Sequence, residues 1–337
     1  MSSARASWGP AEVAMDATRG TAGRNAGTVT VALAADSAYA MPLTVAASSV
    51  VASLDPSLRL RLCVLDMGID ETVRAPVESS LRRPGVDIVW IDSLRDRVAG
   101  LPNTWPVITR AGYARIYLPE VLPHVDRVLY LDCDVIARRS VAELFGLELC
   151  GALAAGVPDV QSPFLPTGVP HWYETGRSAG ELNFNSGVLL MDLAGWRRAR
   201  MTEALLEYLT GARYLRAQDQ EAINAVLGDR ILAIDPRWNQ QAEIFWTELH
   251  HHYDDFLPYD CETLDVLRRD PWIVHFSNQP KPWQFGCTHP FIQEWYAALD
   301  GTAFAGWRPR GPSRAQQLVR YWGSRGVRLG RKLASRL

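Results

Sequence analysis

Val128-Leu129-Tyr130-Leu131-Asp132-Cys133-Asp134-Val135-Ile136 is the stretch whose reading decides the fold. Val128 to Leu131 form an apolar run that reads as a short buried strand. Two carboxylates follow, one residue apart, and an apolar pair resumes behind them. In extended chain, alternate side chains share a face and stand about 6–7 Å apart. Asp132 and Asp134 therefore leave the strand end on one side, with Cys133 turned away. Two neighbouring carboxylates at the edge of an apolar run repel each other and lose hydration. A divalent cation relieves both problems, and oxygen ligands suit Mg²⁺ or Mn²⁺. The plainer alternative is a strand end whose acids cap the next turn, and a lone Asp-x-Asp does not choose between the two.

Working outward, Thr28 to Ala35 is a β-branched apolar run that ends at Asp36, and Tyr39 to Leu54 has helical length. Arg59 to Leu65 reads as a second strand. Asp70 is placed to cap a helix through about Arg82, and Pro84-Gly85 breaks it. Val86 to Ile91 is a third strand. A loop runs to about Ile108, and a short helix from Thr109 to Leu118 is stopped by Pro119. Beyond the acids come short elements at Val141 to Phe145 and Ala152 to Val157, then a Pro- and Gly-containing loop over 158–182, of the kind that lids or binds. Val188 to Met191 and Ile231 to Ile234 read as strands, and Ala194 to Thr210 and Asp219 to Leu227 as helices. Trp272 to Phe276 is a late strand and Pro290 to Leu299 a final helix. Strands alternating with helices predict an α/β fold with a Rossmann-like, mixed but mainly parallel sheet flanked by helices.

Among 337 residues, 47% are hydrophobic and 21% charged, which is ordinary for a globular chain with a real core. The net charge of −2 provides no basic field for nucleic acid. The 5 cysteines are scattered without a Cys-x-x-Cys pair, so a reduced, cytoplasmic chain is expected. Residues 1–27 lack an apolar segment and read as a flexible leader. No run of about 18 apolar residues exists, so no membrane span is expected. Residues 306–337 form a basic tail. Over 313–337, basic residues interleave with Leu318, Tyr321, Trp322, Leu329 and Leu333. That pattern suits either peripheral contact with an anionic membrane surface or a frayed, solvated end. His250-His251-His252 has polar flanks and is expected to be an exposed loop.

There is no Gly-x-Gly-x-x-Gly after the first strand, no Walker loop, no His-Glu-x-x-His and no nucleophile elbow. A nucleotide on this sheet would need its phosphates neutralised by other means. Several segments in order do resemble glycosyltransferase family 8. They are Ala34-Ala35-Asp36, Tyr113-Ala114-Arg115, Leu129 to Asp134, Phe184 to Leu190, Gln218 to Glu221, and His275-Phe276 followed by Lys281-Pro282-Trp283. The group includes bacterial lipopolysaccharide galactosyltransferases and glycogenin. The resemblance covers about residues 28–300 and implies a GT-A-type fold and retaining transfer of a hexose from a UDP-sugar.

What the resemblance implies for single residues is specific. Asp132, Asp134 and His275 would bind Mn²⁺ or Mg²⁺, which acts as a Lewis acid for the departing diphosphate. His275 read alone is a strand-end histidine, commonly structural. Lys281 would place a cation on the diphosphate; by itself it is an ordinary surface lysine. Asp36 would accept from the uracil ring, whereas a helix N-cap is the commoner fate of such an Asp. Ala34, Ala35, Tyr39, Cys133, Ser186 and Asn278 complete the expected donor surface. Arg115, Asp219 and Asn185 would hold donor-sugar hydroxyls. Their plainer readings are ion pairs for the first two and an Asx turn closed by Gly187 for Asn185. Gln220 would face the reactive carbon opposite the diphosphate, with Asp219 and Arg115 as its catalytic neighbours. A carboxamide is a poor nucleophile, so retention would come from front-side attack, with the leaving phosphate helping to deprotonate the acceptor.

Three positions depart from the family pattern. Ala38 replaces an Asn near the ribose, Glu221 replaces an Asp, and Asn278 stands where Gly is usual. Asn accepts left-handed backbone better than most residues, so the turn there is expected to survive.

One rival is a haloacid-dehalogenase-like, Mg²⁺-dependent phosphohydrolase, which needs its Asp-x-Asp on the first strand and a second acidic pair at a strand end. Here three strands precede the acids, and Asp254-Asp255 follows no apolar run. Another is a UDP-sugar-binding protein without turnover. The expected organisation is one catalytic domain over 28–305, with a nucleotide-binding half (28–137) and a sugar and acceptor half (138–305). The resemblance implies galactose or glucose as donor sugar and, as acceptor, a hydroxyl on an envelope glycan, a natural product or a protein.

Overall fold

The computed structural model describes residues 27–103, 110–212, 215–245 and 259–311. The elements in chain order are β1 (Thr28–Ala35), α1 (Ala40–Ser53), β2 (Arg59–Asp66), α2 (Glu71–Leu81), β3 (Val86–Ile91), α3 (Arg95–Ala99), α4 (Leu118–Val121), β4 (Arg127–Leu131) and β5 (Val135–Ala137). Then come β6 (Ala154–Pro158), α5 (Leu165–Gly168), β7 (Phe184–Asp192), α6 (Leu193–Arg198), α7 (Met201–Gly211) and α8 (Gln218–Leu227). The last are β8 (Ile231–Ala233), β9 (Gln240–Gln241), α9 (Cys261–Arg269), β10 (Ile273–His275) and α10 (Ile292–Asp300).

Seven strands form one sheet in the order β3-β2-β1-β4-β7-β6-β8. Its left half is parallel, whereas β7 runs antiparallel to both β4 and β6. Strands buried on both faces need near-continuous apolar sequence. The alternation of β1 and β4 then divides the core in two. Val31, Leu33, Leu129 and Leu131 pack towards α1 and α2. Ala32, Ala34, Val128 and Tyr130 pack towards the 3₁₀ segment Arg110–Tyr117 and towards α6, α7 and α8. Asp132 continues the second set, so it emerges on the side of Arg110–Tyr117.

A separate three-stranded sheet, β5-β10-β9, delivers the distant histidine. β5 and β10 pair antiparallel with Val135 opposite His275, and the Phe276 N–H donates to the Asp134 carbonyl at 2.8 Å. This pairing closes the chain between residues 134 and 275.

Several expected boundaries move. The segment to Ile108 contains α3, and the helix from Thr109 is a 3₁₀ turn over Arg110–Tyr117. Pro119 lies within the first turn of α4, where its missing N–H leaves no bond broken, so it does not stop that segment. The Ala194 to Thr210 helix is two helices, broken where Arg200 takes left-handed backbone (φ 52°). The 158–182 loop holds α5 and a 3₁₀ turn at Trp172–Thr175, and α9 was not anticipated. The histidine triplet, Asp254-Asp255 and the 313–337 tail lie outside the described residues. Among the described residues no helix is long and apolar enough to cross a membrane.

Candidate active site at the end of the fourth strand

Asp132, Asp134 and His275 converge. One ligand atom from each lies within 4.8 Å of the others. Asp134 and His275 are buried, and Asp132 is half-buried. Gly187 sits opposite the end of β4, and its carbonyl accepts from the Asp132 N–H at 2.8 Å. A Cβ at Gly187 would collide with His275 Cε1 and stand 2.8 Å from Asp132 Oδ2. Only glycine lets the antiparallel neighbour pass beneath the three side chains.

Asp134 meets two cationic partners, Lys281 Nζ at 2.6 Å from Oδ2 and His275 Nε2 at 3.2 Å from Oδ1. Burial opposes ionisation of Asp134, but Lys281 and His275 prevail and hold the carboxyl well below the usual range. Burial likewise disfavours protonated His275, yet the Asp134 carboxylate outweighs it and raises the imidazole above its ordinary value. One imidazole nitrogen and two carboxylates form a donor set that fits a divalent cation. Lys281 also donates to the Phe276 carbonyl at 2.6 Å and is 7% exposed, so it is no ordinary surface lysine.

On the other side of Asp132, Arg115 is buried and makes an ion pair with Asp132 Oδ1 at 2.9 Å and with Asp219 Oδ2 at 3.0 Å. It also donates to the Ser186 carbonyl and, at 2.9 Å, to the Gly112 carbonyl, with its guanidinium 4.0 Å from the Tyr130 ring centroid. Burial raises the Asp219 carboxyl despite Arg115. The surface ion pair that would have been the plainer reading of Arg115 and Asp219 is in fact buried against the acids.

Gln220 is held at both ends of its amide. Oε1 accepts from the Ser186 N–H at 3.0 Å, and Nε2 donates to Asp159 Oδ2 at 3.0 Å. Asn185 does close an Asx-type turn onto the Gly187 N–H at 3.0 Å, but within β7. Its Nδ2 reaches Asp159 Oδ2 at 3.2 Å.

At the mouth of the parallel half, Asp36 caps the turn that follows β1, accepting from Ala38 and Tyr39 N–H groups at 3.0 and 3.2 Å. Ala34 and Ala35 end β1, and the Cys133 thiol donates to the Ala34 carbonyl at 3.2 Å. The Tyr39 ring meets Trp283 edge-on at 5.5 Å, which ties the end of β1 to the Lys281-Pro282-Trp283 segment. Burial, then Asp134, pushes the Tyr39 hydroxyl up to about 12.

One expectation needs correction. Asn278 is not in left-handed backbone, which among the described non-glycine residues occurs at Cys150, Arg200 and Gln218. Its Oδ1 instead accepts from the Gln279 N–H at 2.7 Å. Glu221, where the family pattern has Asp, is engaged locally. It accepts from Tyr208 Oη at 3.0 Å and from the Arg216 and Ala217 N–H groups at 2.5 and 3.2 Å.

Asp159 and Asn239 were not singled out from the sequence. Asp159 was legible in principle, since it follows an apolar run as Asp132 does. Asn239 carries no such local sign. It enters by donating to Asn185 Oδ1 at 3.0 Å and facing His275 Nδ1 at 2.8 Å.

A sheet of this order, with two acids at the end of its central strand and a histidine brought to them by a second small sheet, defines a GT-A-type fold. The phosphohydrolase rival needs its acids on the first strand, and here they follow β4. The chain matches Glycosyl transferase family 8 over residues 30–287 and belongs to that family. It is 27% identical over 274 residues to General stress protein A of Bacillus subtilis, covering 80% of this chain and 92% of that one. It is 30% identical to glycosyltransferase GlyF of Streptococcus pneumoniae, covering 80% of this chain and 61% of the relative. With the lipopolysaccharide 1,2-glucosyltransferase of Escherichia coli it shares 27% identity, covering 67% of this chain and 63% of that protein. The chain thus spans less than two thirds of the last two relatives. Among solved structures, the galactosyltransferase LgtC in complex with donor and acceptor sugar analogues superposes with a TM-score of 0.68 at 26% identity, covering 85% of this chain and 98% of that one.

Proposed function

We propose that the protein is a retaining hexosyltransferase that moves galactose or glucose from a UDP-sugar to a hydroxyl acceptor, with Mn²⁺ or Mg²⁺ held by Asp132, Asp134 and His275. The observation that carries this reading is the meeting of those three side chains, with ligand atoms within 4.8 Å, in a chain of this family. A glucosyltransferase and a galactosyltransferase among its relatives support a hexose donor. The bound cation would supply Lewis-acid stabilisation of the departing diphosphate.

The chain's own residues do the rest. Lys281, already beside Asp134, adds a second positive charge on the phosphate side. Asp36 and Tyr39, at the end of β1, offer the base an edge and a ring. Arg115 holds Asp132 and Asp219 in place, so the sugar meets a surface that does not reorganise.

Among the described residues, the carboxylates nearest Gln220 (Asp219, Asp159 and Glu221) are each engaged, Asp219 in its ion pair with Arg115 at 3.0 Å. Asp159 Oδ1 takes the Gln161 and Ser162 N–H groups at 3.0 and 2.8 Å, and Oδ2 takes Asn185 and Gln220. A carboxylate has about four acceptor sites, and these fill them. Glu221 is committed to Tyr208 and the backbone. Front-side attack, with the leaving phosphate taking the acceptor proton, therefore fits better than a covalent intermediate. The catalytic unit is proposed to span 28–305, with the nucleotide on 28–137 and sugar and acceptor on 138–305. A hydroxyl on an envelope glycan, a natural product or a protein as acceptor, with peripheral membrane contact through 313–337, completes the proposal.

UDP release is the test, measured across UDP-hexoses and hydroxyl acceptors with Mn²⁺ or with chelator. Metal-dependent release, with an α-linked product from an α-linked donor, is expected. A β-linked product would refute retention, and saturable UDP-sugar binding without turnover on any acceptor would refute the transferase reading.

A further inference from the structure

A line of buried side chains joins the histidine to the glutamine. His275 Nδ1 faces Asn239 Oδ1 at 2.8 Å, and Asn239 Nδ2 donates to Asn185 Oδ1 at 3.0 Å. Asn185 Nδ2 donates to Asp159 Oδ2 at 3.2 Å, which also accepts from Gln220 Nε2 at 3.0 Å. His275, Asn239, Asn185 and Asp159 are each at most 8% exposed. Water therefore contributes little, and the protein itself decides which atom of each group donates.

The polarity follows from its fixed ends. An ionised carboxylate only accepts, so Asn185 must present its NH₂ to Asp159. The Asn185 carbonyl then faces the Gly187 N–H at 3.0 Å, a backbone donor that cannot reverse. With that carbonyl accepting, Asn239 must donate to it and turn its own oxygen towards His275. Nδ1 of His275 must then carry a proton. In the neutral ring Nε2 is left with a lone pair, pointed at Asp134 Oδ1 3.2 Å away. Two acceptors facing each other at that distance need a proton or a metal cation between them.

We propose that Asp159, acting through Asn185 and Asn239, sets the tautomer of His275 and so prepares Nε2 as a ligand for a divalent cation. Asp159 and Asn239 are positioning residues, and the proposal rests on reading Asp132, Asp134 and His275 as the cation site. The same Asp159 oxygen orients Gln220, whose carbonyl takes the Ser186 N–H. One carboxylate thus sets both the metal end and the sugar end of the site. Partners that orient a metal-binding histidine in this way are commonly worth about 10–100-fold in metal affinity.

The test has two arms on the full chain. In the first, ¹⁵N-histidine is followed by long-range proton–nitrogen NMR without metal, in alkaline buffer where the ring is neutral, with His275→Gln assigning the signal. Wild type is expected to show the Nδ1–H form. Asp159→Asn, which puts a donor in the place of Oδ2, is expected to shift it towards Nε2–H. A wild-type Nε2–H ring, or no shift in folded Asp159→Asn, overturns the proposal.

In the second arm, Mn²⁺ affinity is measured with UDP present. Asp159→Asn and Asn239→Leu are expected to weaken it about 10–100-fold. Asn239→Asp, which keeps an acceptor for Nδ1–H, is expected to restore it, and equal losses in both Asn239 variants contradict the relay. A wild type with the Nδ1–H ring but no Mn²⁺ binding would refute the cation site and leave the tautomer assignment intact.

Discussion

A methyl group at position 187 should separate the chemistry of this site from its folding. A Cβ there has no room beside His275 and Asp132. Overpacking of this kind costs about 1–3 kcal/mol. Gly187→Ala is expected to lower the unfolding free energy by that amount while abolishing metal-dependent UDP binding, as read by denaturant unfolding and by titration. A variant that binds UDP and metal as wild type does would contradict the placement. Arg115 makes the complementary case. Replacing it by Met leaves buried Asp219 and half-buried Asp132 without their shared counter-ion. Breaking a buried pair by removing one partner costs about 3–5 kcal/mol. Arg115→Met is expected to lose that much in urea or guanidinium unfolding, and a loss under about 1 kcal/mol would show the pairs to be well solvated. The acids themselves were legible in the sequence because strand alternation fixes the face of Asp132 and Asp134. Asn239 was not, because a lone Asn in a turn becomes significant only when β9 is laid beside β10.

At the scale of elements, the break between α6 and α7 carries a cost that can be measured. Arg200 occupies left-handed backbone, where a side chain costs about 1–2 kcal/mol relative to the ordinary helical region. Its ion pair with Glu203 is exposed and contributes little. Arg200→Gly is therefore expected to stabilise the protein by up to about 1 kcal/mol, read as a rise in unfolding midpoint, and a fall would mean that the pair outweighs the strain. The same break explains why Ala194 to Thr210 was read as one helix, since its apolar spacing continues across a residue with no Gly or Pro signal. Strands β1 and β4 were found nearly to the residue because two-sided burial demands unbroken apolar runs, whereas the edge strand β3, with no buried residue, was found from its β-branched composition and the Pro84-Gly85 break before it. β10 lies within the strand read at Trp272 to Phe276, but β5 is three residues, too short for any period, and the pairing of the two joins segments far apart in the chain. The direction of β7 was equally hidden, because an apolar run reads the same parallel or antiparallel.

For the whole molecule, one buried imidazole far from the acids in sequence should shape the response to pH. His289 lies among Phe245, Phe276 and Phe291, and its Nε2 is buried without a partner. Burial pushes it down to about 4 from an ordinary 6.5. The unfolded chain then binds the extra proton first as pH falls, so folding loses stability between about 6.5 and about 4. Thermal unfolding should show that loss, reduced in His289→Phe, and equal slopes in the two proteins would exclude the histidine as its source. Under the proposed function, the meeting of two sheets at residues 134 and 275 would place a shared cation on the diphosphate of a sugar nucleotide. Pulsed electron paramagnetic resonance of Mn²⁺ bound with UDP tests that claim most directly. The account expects nitrogen modulation from one imidazole in wild type and its loss in His275→Ala. Mn²⁺ bound without any imidazole nitrogen, or with the same signal in that variant, would contradict it.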